Sequence, residues 1–290
     1  MIKLIAIDID GTLLNSYGEV TDKNKQAIQK ALDKGVYVVL ASGRMPKAIL
    51  PIANEIKSKK YLISGNGASI YDIEDNKTIY NNYINKKKVL EIIDICEKNS
   101  MFYNIYTNNE ILTKSLNYNI LYYHHENKKN PEDKKIKINV INDMRNYIEK
   151  YNGDDFLKFT ICDSDEMVFK SITNRLKTIK NVDVLEVSHM SRKVIKYGTE
   201  NMEISYFYTE ITNGNVNKWS AIEHLIKMLN ITKHEIITIG DNINDKEMVE
   251  NAGIGIVVGN SSPKMKEIAD EVVPTNDESG VAYAIDKYIS

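Results

Sequence analysis

A chain of 290 residues, 42% hydrophobic and 27% charged, has the balance of a soluble globular protein and length enough for two domains of ordinary size. A net charge of -2 creates no global field to recruit nucleic acid or an anionic membrane, so neither is expected as a partner. No apolar stretch approaches ~20 residues and Asp8 interrupts any signal-peptide core, while Cys96 and Cys162 lie far apart in apolar contexts; a reduced, cytoplasmic protein is expected.

The first predicted element is a buried strand of a parallel sheet, the apolar run Leu4-Ile5-Ala6-Ile7. It ends in Asp8-Ile9-Asp10-Gly11-Thr12, where such strands open onto a crevice. A carboxylate there is costly unless paired or metal-bound; the plain alternative is that Asp8 and Asp10 cap a turn. Thr21 is a candidate N-cap for a helix with Ala27, Ile28, Ala31 and Leu32 inward and Gly35 as its stop. Residues 36–41 form the next strand, ending in Ser42-Gly43-Arg44. A helix over 46–57 accepts Pro46 in its first turn, and strand Tyr61–Ser64 ends in Gly65-Asn66-Gly67-Ala68.

Between 84 and 208 the texture changes. Helices over 87–99, 142–151 and 165–179 alternate with strands of mixed polarity, 102–107 and 157–162, which implies a sheet with one wet face. Residues 126–135 read as an exposed loop, and the lysine runs 86–88 and 128–137 as solvated faces. The earlier style then resumes. Lys218–Leu229 is an amphipathic helix with Ile222, Leu225, Ile226 and Leu229 on one face. Strand 235–239, the polar cluster Gly240 to Asp245, a helix to about 251 and short strands at Ile254–Val258 and 272–273 follow. The expected fold is a Rossmann-like, doubly wound α/β core over 1–83 and 209–290, with an inserted α+β module over 84–208.

Four polar clusters in the core should meet on one rim, because strand carboxyl ends in a parallel sheet share it. They are Asp8 to Thr12, Ser42 to Arg44, Lys218, and Gly240-Asp241-Asn242-Ile243-Asn244-Asp245. Crowded carboxylates repel, raising their pKa values or demanding a cation. An oxygen-only donor set without His or Cys favours Mg²⁺ over zinc or copper. A lysine, a serine hydroxyl and backbone amides beside it can hold a phosphoryl group, which a carboxylate can attack to form an acyl phosphate. Asp10, two residues on, suits protonation of the leaving alkoxide and later activation of water.

In order and spacing these clusters resemble the four signature motifs of the haloacid dehalogenase superfamily, across essentially the whole chain. The long insertion and Asn66-Gly67-Ala68 resemble its Cof-like, type IIB sugar-phosphatase branch. The resemblance implies a Mg²⁺-dependent phosphatase of small phosphorylated metabolites, its inserted module acting as a cap that sets specificity. It implies Asp8 as nucleophile and metal ligand, and Asp10 as general acid/base that also binds the metal through its carbonyl. Asp241 becomes the remaining carboxylate ligand, with Asp245 behind it. Ser42 and Lys218 hold phosphate, Thr12 and Gly43 donate to it, and Asn244 contacts substrate.

The same residues admit a phosphosugar mutase, and a phosphoryl-accepting signalling domain, against which the long insertion speaks. A silent binding protein is disfavoured because all four clusters keep competent residues. Trp219, where many relatives carry a small residue, is expected in the packed face of its helix. Lys218 is electrostatically misplaced at a helix start, which favours an anion nearby. Arg44 could pair with an Asp or with solvent. His124-His125 is expected to be exposed rather than metal-bound, His189, His224 and His234 are isolated, and the tyrosines from 103 to 123 are expected to be structural.

Overall fold

The computed structural model describes residues 1–128, 130–132, 135–185, 190–197 and 200–289. It has two compact units, Met1–Asn81 with Val216–Ser290, and Asn82–Asn215. In chain order the first segment carries β1 (Leu4–Ile7), α1 (Asp22–Asp33), β2 (Tyr37–Ala41), α2 (Pro46–Glu55), β3 (Tyr61–Ser64), β4 (Ser69–Asp72) and β5 (Lys77–Asn81). The inserted unit begins with α3 (Lys86–Lys98), β6 (Phe102–Tyr106), β7 (Glu110–Thr113), α4 (Tyr118–Asn127), β8 (Lys137–Val140) and α5 (Met144–Lys150). It continues with β9 (Lys158–Asp163), α6 (Glu166–Leu176), β10 (Val182–Val184), β11 (Ser191–Tyr197) and β12 (Glu200–Asn213). The chain then returns through α7 (Lys218–Leu229), β13 (Ile236–Gly240), α8 (Lys246–Asn251), β14 (Ile254–Val258), α9 (Pro263–Ile268), β15 (Glu271–Val273) and α10 (Gly280–Tyr288). No helix among the described residues is long and apolar enough to cross a membrane.

The first unit is an eight-stranded sheet in the order β15-β14-β13-β1-β2-β3-β4-β5, parallel as far as β3 and closed at one edge by the antiparallel β4 and β5. Strand order reverses at β1, which lies between β13 and β2 with Ile7 level with Ile239 and Leu40. This switch point is where an open α/β sheet leaves its crevice. Alternation along each strand feeds two cores. Ile5, Ile7, Val38, Leu40, Ile237 and Ile239 pack with α1, α2 and α10, while Leu4, Ala6, Val39, Ala41 and Ile236 pack with α7, α8 and α9. Thr21 does cap α1, its hydroxyl accepting from the Asn24 amide at 3.2 Å. The fold is therefore the doubly wound α/β core expected, and the edge hairpin is an addition to it.

The second unit has a sheet in the order β10-β12-β9-β6-β7-β8, with β11 paired to β12. Its pairings are antiparallel except β7 with β8. Helices α3, α5 and α6 cover one face, burying Tyr103, Ile105, Phe159 and Ile161 against Val89, Ile92, Ile148 and Ile172. Asn85 and Asp165 cap α3 and α6, accepting backbone N–H bonds of 3.0 Å and 2.8–2.9 Å. The opposite face is polar, as mixed-polarity strands require, yet it is not wet: Asn104, Lys158 and Thr160 are buried there.

Several expectations shift. The return to the core lies at Asn215/Val216 rather than near 208, because β12 stays paired with β9 and β10 as far as Asn213. Residues Glu126 and Asn127 end α4 instead of opening a loop, while Lys129, Asp133 and Lys134 lie outside the described residues. Lys88 is not simply solvated: its ammonium donates to the Asn181 carbonyl at 2.7 Å and to Asn213 at 2.9 Å, tying α3 to the end of β12. His124 and His125 are half-buried in the last turn of α4, and His189 lies outside the described residues.

Phe159 is fully buried in the only (among the described residues) apolar cluster that joins the second unit's sheet to α3, α5 and α6. Phe159→Ala should lower that unit's unfolding free energy by about 3–5 kcal/mol. Urea titration followed by circular dichroism checks this, and a change below about 1 kcal/mol would mean that the cluster is not what holds the unit together.

Candidate active site

After β1 the backbone makes a wide turn, with Leu13 N–H donating to the Asp8 carbonyl at 3.2 Å and Leu14 N–H to that of Ile9 at 3.0 Å. Gly11 adopts φ +83°, and a Cβ there would lie 2.7 Å from an Asp241 carboxylate oxygen. The turn thus needs glycine for its conformation and for the room it leaves to Asp241. Across the switch point, Gly240 ends β13, and a Cβ on it would strike the Asp245 side chain at 2.6 Å. Gly67, at φ +105°, lies against the start of α7, where a Cβ would come within 2.1 Å of the Asn217 carbonyl oxygen. Three glycines clear space for three charged side chains.

Lys218 is the first residue of α7, capped by Asn217 and Ser220. Its ammonium is fully buried and donates to Asp8 Oδ1 and, at 2.6 Å, to Asp245 Oδ1. The other Asp245 oxygen accepts from the Asp241 and Asn242 amides at 3.0 and 3.1 Å. Thr12 donates its hydroxyl to Asp241 Oδ1 at 2.9 Å. Ligand oxygens of Asp8, Asp241 and Asp245 all lie within 4.8 Å of one another. Burial raises the Asp8 carboxyl well above its usual range, opposed by Lys218 and reinforced by Asp245 and Asp241. Burial also lifts Asp241 to about 6, with the Asp245 charge adding to it and the Thr12 hydrogen bond working against it. For Lys218 burial alone would lower the pKa, but the charges of Asp245 and Asp8 outweigh it and hold the ammonium protonated.

The remaining expected residues sit around this cluster. Ser42 is buried and its hydroxyl accepts from the Arg44 amide at 3.2 Å; Gly43 is half-buried in the bend between them. Asn66, at φ 59°, donates its amide to the Ser42 carbonyl at 3.0 Å, and its side-chain oxygen accepts from Asn244 at 3.2 Å. The Ser42 and Asn244 loops are therefore linked through Asn66. The Asp10 side chain does not join the carboxylate cluster. It is exposed and takes a bidentate pair from Arg44, Nε to Oδ2 at 2.9 Å and Nη2 to Oδ1 at 2.6 Å. Sequence reasoning left Arg44 open and did not single out Asn260, whose side-chain amide donates to the Gly11 carbonyl at 2.8 Å. Its only sequence signal is a polar residue soon after β14. Trp219 is partly buried against the α7–α8 core, as its packed reading expects.

Removing the Lys218 charge would strand two buried carboxylates. In metal-free buffer, Lys218→Met should cost about 3–5 kcal/mol of stability. Chemical denaturation measures it, and a loss below about 1 kcal/mol would contradict the bridging role given to this ammonium.

The sequence profile of the haloacid dehalogenase-like hydrolases matches residues 5–285. Phosphatase YwpJ of Bacillus subtilis is 31% identical over 97% of this chain and 98% of its own. The B. subtilis 5-amino-6-(5-phospho-D-ribitylamino)uracil phosphatase YcsE is 28% identical over 99% and 96%. A haloacid dehalogenase-like hydrolase from B. subtilis superimposes with a TM-score of 0.80 at 28% identity, covering 99% of this chain and 100% of that one. The four polar clusters lie inside the matched span, and the chain belongs to the haloacid dehalogenase-like hydrolases, as a phosphatase.

Proposed function

We propose that this protein is a Mg²⁺-dependent phosphomonoesterase acting on small phosphorylated metabolites, sugar phosphates or related esters, through a phosphoryl group carried on Asp8. The observation behind this reading is the buried cluster of Asp8, Asp241 and Asp245 around one ammonium, Lys218. Three carboxylates against one cation leave an excess of negative charge, which a hard dication would balance, and the donor set is oxygen only. Asp8, Asp241 and the Asp10 carbonyl would hold the ion. Asp245, with both oxygens engaged by Lys218 and two backbone amides, would fix the site from behind. A bound Mg²⁺ supplies charge neutralisation at the phosphoryl oxygens.

In this reading an Asp8 oxygen attacks phosphorus as the bond from phosphorus to the alcohol oxygen breaks. Asp10 gives its proton to the departing alkoxide. Water then attacks phosphorus, Asp10 takes a proton from it, and the Asp8–phosphorus bond breaks to release phosphate. Arg44 anchors Asp10 at the exposed edge of the site, where a leaving alcohol and an incoming water can reach it. Lys218 and Ser42, with Thr12, Gly43 and Asn244, would hold the phosphoryl group. The inserted unit, joined to the core by two chain crossings, would select among alcohols.

Asp8→Asn should reduce turnover to below about 1% of wild type while leaving the circular dichroism spectrum unchanged. Retention of more than a few per cent of the rate would rule out covalent catalysis by Asp8. Asp10→Asn should slow esters with poor leaving groups far more than p-nitrophenyl phosphate, because the nitrophenolate needs little protonation.

Chelation by EDTA should remove phosphate release and Mg²⁺ should restore it. Ca²⁺ should restore little, since it takes more ligands in looser geometry. Full activity in metal-free buffer would defeat the metal assignment. Phosphate release over sugar phosphates, nucleotides, phosphorylated cofactors and 5-amino-6-(5-phospho-D-ribitylamino)uracil, for which two relatives are named, then ranks the substrates.

A further inference from the structure

The wide turn after β1 carries Asp10, and no regular structure holds its backbone there. Asp10 (φ -82°, ψ 114°) and Gly11 (φ 83°, ψ -2°) both depart from helical conformation within the turn. Gly11 is required by the closeness of the Asp241 side chain, yet glycine is also the residue with the most backbone freedom to lose. A side chain from the loop after β14 takes up that freedom: Asn260 donates its side-chain N–H to the Gly11 carbonyl at 2.8 Å. We propose that Asn260 is a positioning residue, which by fixing the Gly11 peptide holds Asp10 where it can pass a proton to the leaving alcohol. The proposal rests on the phosphatase reading, and within it on Asp10 as the general acid.

Asn260 is itself held. Its side-chain oxygen accepts the Asn276 N–H at 3.1 Å, and the side-chain amide of Asn276, which is buried, donates to the Leu14 carbonyl at 2.9 Å. Asn276 lies in the loop between β15 and α10, whose other residues reach the chain just beyond the turn. There Asp277 accepts both the amide and the hydroxyl of Ser16 at 2.7 Å, and Ser279 and Thr21 share a hydrogen bond of 2.8 Å. From the opposite direction Asn24, fully buried in α1, donates to the Leu13 carbonyl at 3.3 Å and accepts the Ala282 N–H at 2.9 Å. At the start of the turn the Asp8 N–H donates to the Ile239 carbonyl at 2.9 Å. The turn is thus anchored at its start through Asp8, at its end through Leu13 and Leu14, and between them through Asn260.

Stability is not the main consequence of the Asn260 contact. It lies at the surface, where water can replace either partner, and such an exchange leaves little net contribution to folding. Rate is more sensitive to position: a shift of about 1 Å in a reacting group can cost on the order of a hundredfold. Arg44 grips the Asp10 carboxylate by two bonds, but the backbone from which that side chain springs needs a hold of its own. Asn260 supplies it one residue along. The hold requires a donor, so a residue at 260 that only accepts would keep the bond from the Asn276 amide and lose the bond to Gly11.

The test measures kcat and KM of the full-length enzyme for n-propyl phosphate, whose alcohol is a poor leaving group, and for p-nitrophenyl phosphate, whose phenol is a good one. Asn260→Ala should cut kcat by roughly 10-fold for the propyl ester and by less than about 3-fold for the nitrophenyl ester, with both KM values within about twofold of wild type. Asn260→Asp, which keeps the acceptor and loses the donor, should behave in the same way. In the Asp10→Asn background the propyl penalty of Asn260→Ala should shrink to less than about twofold, because the group being positioned is gone. An equal fall for both esters, a full penalty in the Asp10→Asn background, or a lowered unfolding temperature with the propyl-to-nitrophenyl ratio intact would overturn the proposal. If Asp10→Asn itself spares that ratio, or no phosphomonoester is hydrolysed, the acid/base or the phosphatase reading fails separately, and hydrogen exchange then judges the Asn260 contact. The Leu13 and Leu14 amides, whose bonds close the turn, should exchange roughly 10-fold faster in Asn260→Ala while those of β1 are unchanged. Equal exchange in wild type and variant overturns the positioning role.

Discussion

One buried ammonium organises this site. Lys218 joins Asp8, at the end of β1, to Asp245, in the loop after β13, and so ties the two strands on either side of the sheet's reversal point to the start of α7. A lysine in the first turn of a helix is opposed by the helix dipole, and burial opposes it further. Both costs are offset only because two carboxylates meet it. The dependence is mutual, since the ammonium is the positive charge that meets both buried carboxylates. What remains uncompensated is the third acid, Asp241, and that excess charge is the physical case for a divalent cation.

The backbone around this bridge is shaped by exclusion. Side chains at 11, 67 or 240 would collide with Asp241, with the carbonyl that precedes Lys218, or with Asp245. Each glycine therefore serves a charged residue distant from it in sequence, except Gly240, which serves one five positions on. The loop after β3 has a similar part. Asn66 bonds to both the Ser42 and the Asn244 segments, and Gly67 seats α7. Loops from β2, β3 and β13 are thus fixed to one another by short contacts, as a site needs if it is to bind a phosphoryl group without reorganising.

Much of this was legible in the sequence because parallel strands buried on both faces leave near-continuous apolar runs, and their polar ends stand out. Leu4–Ile7, Tyr61–Ser64 and Ile254–Val258 are such runs, and Asp8, Ser42 and Asp241 follow directly on strands of that kind. The edge hairpin β4–β5 left no comparable signal: it mixes Asp72, Lys77 and Asn81 with apolar residues, as an exposed edge does. Seven of the ten residues of helix α4 are tyrosine, asparagine or histidine, weak helix formers, and the helix is placed by buried Ile120 and by contacts such as Asn119 with Asn104. The Arg44–Asp10 pair spans 34 positions and depends on side-chain conformation, which periodicity does not encode. The polar face of the second sheet was legible as polar, but its burial was not.

The steric course at phosphorus separates most directly the two parts Asp8 could play, nucleophile or ligand alone. Transfer from an isotopically chiral phosphomonoester to an alcohol acceptor should proceed with retention, because two in-line displacements, onto Asp8 and off it, cancel. Inversion would mean that the acceptor attacks the substrate directly, and would contradict the covalent role assigned to Asp8.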